Sequence, residues 1–124
     1  GLGEAIKYIS KLSFEDITSH ELMLNSYITE ELLKFPQIKI IGPYDPKKRG
    51  SIINFYIENK DMHQIATMLD NMANIAIRSG QHCVNSYFKN RNIKNGARIS
   101  LSFYNTKKEA EKLVENLIKI MKII

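Results

Sequence analysis

The sequence predicts a single α/β sandwich of α+β-like character, with a small, mixed or mostly antiparallel sheet and helices packed over one of its faces. Three observations lead there. Segments whose apolar residues recur at spacings of three and four alternate with short runs rich in β-branched and aromatic residues, in the order ααβ-βα-β-α-βα. A length of 124 residues suits one domain, and no internal repeat divides it.

Leu2, Ala5, Ile6, Ile9 and Leu12 form one stripe on a first helix that Ser13 ends. Ser13 with Asp16 caps a second helix through Ile17, Leu22, Ile28, Leu32 and Leu33, stopped at Phe35-Pro36, so the two should form a helical hairpin. Gln37 to Ile41 reads as a strand closed by the turn Gly42-Pro43-Tyr44-Asp45-Pro46, and Lys47-Lys48-Arg49-Gly50 continues the loop. Ser51 to Ile57 is β-branched and aromatic, the signature of an inner strand. Asp61 then caps a helix from Met62 to Met72 that carries Ile65, Ala66, Met68 and Leu69.

Asn74 to Arg78 reads as a short strand that delivers Ser79-Gly80-Gln81-His82-Cys83 at its end, followed by a short helix from Val84 to Lys89. After a turn over Asn90 to Gly96, Ala97 to Phe103 alternates cleanly and puts Arg98, Ser100 and Ser102 opposite Ile99, Leu101 and Phe103. Asn105-Thr106 caps a last helix, with Glu109 three residues on, and the core face of that helix is Leu113, Val114, Leu117, Ile118 and Met121.

Composition narrows the functions available. With 44% hydrophobic residues, six glycines and three prolines, the chain can bury a core and is not low-complexity. A single cysteine excludes an internal disulfide framework and an all-cysteine zinc site, and a reducing, cytoplasmic setting is expected. No apolar run is long enough to span a bilayer, and the first residues lack a secretory layout. The charge of +5 raises nucleic-acid binding through Lys47-Lys48-Arg49 and Lys89, Arg91 and Lys94 beside Tyr44, Tyr87 and Phe88. Against it, Arg49-Gly50-Ser51-Ile52-Ile53-Asn54-Phe55-Tyr56 has Ser51 and Ile53 where an RNA-recognition sheet needs aromatics, so no nucleic-acid partner is expected. His20, His63, His82 and Cys83 lack metal-ligand spacing, no phosphate-binding glycine loop is present, and no metal is expected.

Chemistry concentrates in Arg78-Ser79-Gly80-Gln81-His82-Cys83, where a guanidinium, an imidazole and a thiol meet a flexible glycine between a strand and a helix. Cations and a helix N-terminus favour a thiolate, whereas a lone cysteine can equally be a small buried hydrophobe. Arg98 has the planar fork that suits a carboxylate, or it is a solvent-facing arginine.

Several further segments stand in a telling order: Gly42-Pro43, Ile52-Ile53-Asn54-Phe55, His63-x-Ile65-Ala66-x-x-Leu69-Asp70, Ile77 through Cys83, Gly96-Ala97-Arg98-Ile99-Ser100 and Tyr104-Asn105-Thr106. Together they closely resemble the C-terminal domain of cysteine desulfurases, pyridoxal-phosphate enzymes of the class V aminotransferase family with fold type I. The resemblance covers essentially residues 1–124 and implies the small domain of a two-domain subunit that takes sulfur from L-cysteine and leaves L-alanine. It implies that Cys83 carries the sulfur as a persulfide, for iron-sulfur cluster assembly or other sulfur transfer, that Arg98 anchors the substrate carboxylate, and that Arg78 opens the active-site loop of Ser79, Gly80, Gln81 and His82.

The same resemblance implies a homodimer held largely through a large domain, and a sulfur-acceptor protein as partner. The cofactor's lysine, aspartate and stacking histidine would lie in that large domain, before Gly1, so none of the cofactor is expected on this chain and the isolated chain should be inactive. The absence of a methionine at the start agrees with an expected upstream portion. Gln81 stands where the best-known members have histidine, and Val84-Asn85-Ser86 where Ala-x-Pro often follows, which leaves selenocysteine lyase or another class V activity open. A stand-alone basic binding module is the alternative from a different class.

Overall fold

The computed structural model describes all 124 residues, Gly1–Ile124. Helices α1 (Leu2–Ile9) and α2 (Phe14–Leu33) lead to strand β1 (Ile38–Ile40), and a 3-10 turn over Pro46–Lys48 precedes β2 (Ile52–Ile57). Next come α3 (Met62–Ala73), β3 (Arg78–Gly80), α4 (Asn85–Asn90), β4 (Gly96–Ser100) and α5 (Lys107–Met121). The four strands lie in the order β1-β2-β4-β3 and every pairing is antiparallel. The expected small sheet is therefore wholly antiparallel, with β2 as an inner strand.

Alternation sorts the sheet residues. Ile53, Phe55 and Ile57 of β2 and Ala97 and Ile99 of β4 are buried under Leu24, Ile28 and Leu32 of α2, Ile65 and Leu69 of α3, and Leu113, Val114, Leu117 and Ile120 of α5. These three helices form the expected layer over one face. The short α4 is the exception: its buried Phe88 meets the other face, where a Cβ on Gly96 would stand 3.2 Å from Phe88 Cε1.

Local signals for helix starts hold. Ser13 Oγ accepts from the Asp16 N–H, Asp61 from the His63 N–H, and Thr106 from the Glu109 N–H, with Glu109 returning a bond to the Thr106 N–H. That capping box stabilises α5, so Thr106→Ala should cost about 1 kcal/mol and lower the thermal midpoint by about 4 °C in a domain of this size. An unchanged midpoint in a calorimetric scan would show that the box is not formed.

Four expectations need correction. The first helix stops at Ile9, three residues short of Leu12, and buries none of its residues, so the expected hairpin of α1 against α2 does not form. Leu33 is exposed and Leu22 half-buried, while Leu24 takes the core position. In α5, Ile120 is buried and Ile118 and Met121 only partly so.

Most consequential are the edges of the sheet near the Cys83 loop. The strand expected over Asn74 to Arg78 pairs with β4 only at Arg78–Gly80. Asn74 adopts the left-handed conformation that caps α3, and the Ile75 N–H turns back to Leu69 O. Ile75 and Ile77 still point at the core, but a cavity of about 260 Å³ separates residues 74–77 from Ile99–Leu101. The sequence alternation reported burial, whereas a strand also needs a neighbouring ladder. At the far end β4 stops at Ser100, because the Asn105 side chain takes the Ser102 N–H at 2.9 Å and turns the chain.

Candidate functional site

Strand register brings the two predicted arginines together. Arg78 of β3 and Arg98 of β4 are direct cross-strand partners, and Arg98 is likewise opposite Asn54 of β2. In an antiparallel pair, opposed residues share a face. Arg78, Arg98 and Asn54 thus project on the side away from the helix layer, as the alternation predicted for Arg98. Like charges directly opposite one another are unfavourable, and no carboxylate of the protein pairs with either arginine: every ion pair in the structure uses a lysine. The face thus carries two guanidinium groups with no carboxylate of the protein paired to them.

From β3 the chain passes through Gly80, whose φ of +122° is a glycine conformation, into a tight turn. The Val84 N–H bonds to Gln81 O at 2.9 Å, and both central residues, His82 (φ 52°) and Cys83 (φ 64°), lie in the left-handed region. Positive φ at both central positions is the sign pattern of a type I′ turn, which normally takes Asn-Gly. Holding a histidine and a cysteine there costs on the order of 1 kcal/mol for each residue. The conformation sets the Cys83 thiol outward, exposed to solvent. The buried-hydrophobe reading of this cysteine is thereby excluded.

Two tethers hold the flanks of the turn. Gln81 Nε2 donates to Lys94 O at 3.0 Å, and His63 Nδ1 lies 2.8 Å from Ser79 Oγ, joining the start of α3 to β3. All five residues of the predicted loop, Ser79 to Cys83, therefore belong to one structure anchored on both sides, although Ser79 and Gly80 sit in the strand rather than after it.

His82 folds inward. Its ring meets Phe88 edge to face at 5.9 Å between centroids, and both ring nitrogens are buried without a hydrogen-bond partner. Burial, then the charges of Arg98 and Arg78, push the imidazole below its ordinary value of 6.5. Both effects favour the neutral imidazole, and an anion bound to the arginines would relieve part of that pressure.

Residues of other candidate surfaces are arranged differently. Arg49, grouped with Lys47 and Lys48 as a candidate nucleic-acid contact, turns inward and donates through Nη2 to Thr29 Oγ1 at 2.6 Å and Asn25 Oδ1 at 3.2 Å, pinning the loop to α2. Phe88, read beside the basic residues near Tyr87, is fully buried, and Arg91 stacks 4.0 Å over the Tyr87 ring. No group of three potential metal ligands is present, and His20 is taken up by Asn105 O at 2.7 Å. No helix is long and apolar enough to cross a membrane.

Sequence reasoning named Asn54, Phe88 and His63 for other reasons and did not connect them to the site, where Asn54 is opposite Arg98, Phe88 lies against His82, and His63 meets Ser79. Period-two alternation from Asn54 would have put it opposite Ile53 and Phe55, but only the β2–β4 register puts it against Arg98.

Comparison with known proteins places the chain among relatives. The family profile described as aminotransferase class-V matches residues 1–113. A probable cysteine desulfurase of Xylella fastidiosa is 35% identical over 124 residues, all of this chain and 29% of that protein. The cysteine desulfurase of Serratia proteamaculans is 36% identical over the same span, 30% of its length. The chain thus spans about three tenths of the length of the curated relatives it matches. Among solved structures, the apo cysteine desulfurase from Thermococcus onnurineus NA1 superposes with a TM-score of 0.87 at 28% identity, over 96% of this chain and 29% of that one. A cysteine desulfurase of Escherichia coli, in an S-sulfonic acid form, shares the fold with a TM-score of 0.86 at 21% identity, over 97% of this chain and 29% of that one.

Proposed function

This chain belongs to the class V aminotransferase family, and from that premise we propose that it is the C-terminal small domain of a cysteine desulfurase, with Cys83 as its persulfide carrier. The observation that carries the reading is the Arg78–Arg98 cross-strand pair, free of any internal carboxylate, beside an exposed cysteine held in a strained turn. An amino acid offers what this face lacks. Arg98 would take its carboxylate in a two-pronged contact, with Arg78 adding charge from the neighbouring strand. That fixes the substrate by one end and leaves its sulfur to meet Cys83 Sγ.

In the reaction proposed, Cys83 Sγ forms a bond to the substrate sulfur while the substrate's Cβ–S bond breaks. The bonding pair stays with the carbon skeleton, which takes a proton and leaves as L-alanine, and the sulfur remains as a persulfide on Cys83. The nucleophile needs reach more than burial, and its place at the tip of a turn gives it reach toward a sulfur-acceptor protein as well as toward L-cysteine.

Pyridoxal phosphate is the cofactor the family implies, and it supplies an electron sink when bound. The groups gathered on this face, Arg78, Arg98, His82, Asn54 and Cys83, include neither the amine that would hold its aldehyde nor a carboxylate for its ring nitrogen. They fit the substrate and the sulfur, and do not themselves make a cofactor site. On this reading the cofactor-holding part is a preceding large domain in a homodimeric cytoplasmic enzyme, and the chain alone is inactive.

The test is Arg98→Ala in the full-length protein. Losing a bidentate charged contact should raise the KM for L-cysteine about 100-fold, with a much smaller change in thermal midpoint. An unchanged KM would overturn the assignment.

A further inference from the structure

The buried polar atoms that lack hydrogen-bond partners are concentrated in one place. Apart from two nitrogens of Arg49, they are Asn54 Oδ1, Arg98 Nε and the two ring nitrogens of His82. Buried donors and acceptors are nearly always paired, and those that are not tend to mark a functional group waiting for its partner. Here the three residues are contiguous. Asn54 and Arg98 are cross-strand partners, a Cβ on Gly96 would stand 3.1 Å from Asn54 Oδ1 and 3.2 Å from Phe88 Cε1, and Phe88 meets the His82 ring. Only glycine at position 96 lets Asn54 and Phe88 approach the sheet this closely.

Within the cluster a donor and an acceptor of matching kind stand on opposed residues of neighbouring strands: Arg98 Nε–H can only donate, Asn54 Oδ1 can only accept, and neither has another partner. The other Arg98 nitrogens, Nη1 and Nη2, have no protein partner and are not among the buried unpaired atoms, so they remain open to a ligand. The geometry points to Asn54 as a positioning residue for the Arg98 guanidinium: its Oδ1 takes the Nε–H, turning the guanidinium so that Nη1 and Nη2 grip the substrate carboxylate end-on. The role rests on Arg98 being the carboxylate clamp of the proposed desulfurase. Asn54 touches no substrate atom and acts through Arg98 alone.

A double-mutant cycle in the full-length protein tests this, with KM and kcat for L-cysteine as the readouts. Asn54→Ala should raise KM about tenfold, the scale of one lost hydrogen bond to a charged group, with kcat nearly unchanged. Asn54→Asp, nearly identical in shape, should raise KM further, because its own carboxylate competes for the guanidinium. In an Arg98→Ala background both Asn54 substitutions should lose their effect on KM.

A residue that merely packs would tolerate Asn54→Asp and give additive effects in the cycle; either result overturns the role. Should Asn54→Ala fold poorly, the Asn54→Asp arm and its disappearance in the Arg98→Ala background decide the matter. If Arg98→Ala raises KM but neither Asn54 variant does, the role of Asn54 falls and the clamp stands. If Arg98→Ala itself leaves KM unchanged, both fall.

Discussion

Replacing Cys83 by alanine in the full-length protein should abolish persulfide formation from L-cysteine, a loss of about 1,000-fold or more, while leaving the fold intact. A methyl group cannot form the S–S bond, and no second cysteine exists in this chain to substitute for it. The folded state should hardly notice, because the side chain is exposed and has no hydrogen-bond partner to lose. Mass spectrometry after incubation with L-cysteine reads the outcome directly: the wild type gains the mass of one sulfur on the peptide containing Cys83, and Cys83→Ala gains none. Persulfide or sulfide release at wild-type rates would sink the assignment of the nucleophile. A companion variant separates strain from chemistry. Cys83→Gly should be equally inactive yet more stable than Cys83→Ala, since glycine meets the φ of 64° without steric cost.

Phe55→Ala should have the largest effect on stability. Phe55 is fully buried on the inner strand β2, paired to Ile40 of β1 on one side and Ala97 of β4 on the other. Truncating it removes a large apolar surface and leaves a cavity that the flanking strands cannot close. The expected cost is roughly 3–5 kcal/mol, a large part of the 5–15 kcal/mol that a domain of this size typically has. Urea unfolding followed by circular dichroism measures it, and a cost below about 1 kcal/mol, the usual scale of a surface change, would mean that the sheet is not built around this residue. Ile52 on the same strand provides the control. It is 42% exposed, so Ile52→Ala should cost far less.

Legibility in the sequence followed the distance over which each feature is determined. Helix starts at Ser13, Asp61 and Thr106 depend on a side chain and an N–H two or three residues away, and all three form as read. The facing of Arg98 followed from alternation over the seven residues from Ala97 to Phe103. What required register was not legible. Nothing near residue 78 indicates that Arg78 lies against Arg98, or that Asn54 lies beneath it, because antiparallel partners are chosen by the whole sheet.

The same limit explains Arg49. Its neighbours Lys47 and Lys48 group it with a basic patch, yet its partners Asn25 and Thr29 are 24 and 20 residues away. The Cys83 turn failed to show for another reason. Its left-handed backbone runs against the preference of both His82 and Cys83, so local propensity points away from the conformation adopted.

Strand β3 is an outermost strand whose backbone ladder spans only Arg78, Ser79 and Gly80, with side-chain ties from His63 to Ser79 and from Gln81 to Lys94. In hydrogen-exchange terms β3, like the equally short outer strand β1, belongs to the less protected part of the sheet, whereas β2 and β4 are paired on both sides. Exchange at Ser79 and Gly80 should then run ahead of exchange at Phe55 and Ile57, and the turn that carries Cys83 could shift without loosening the core.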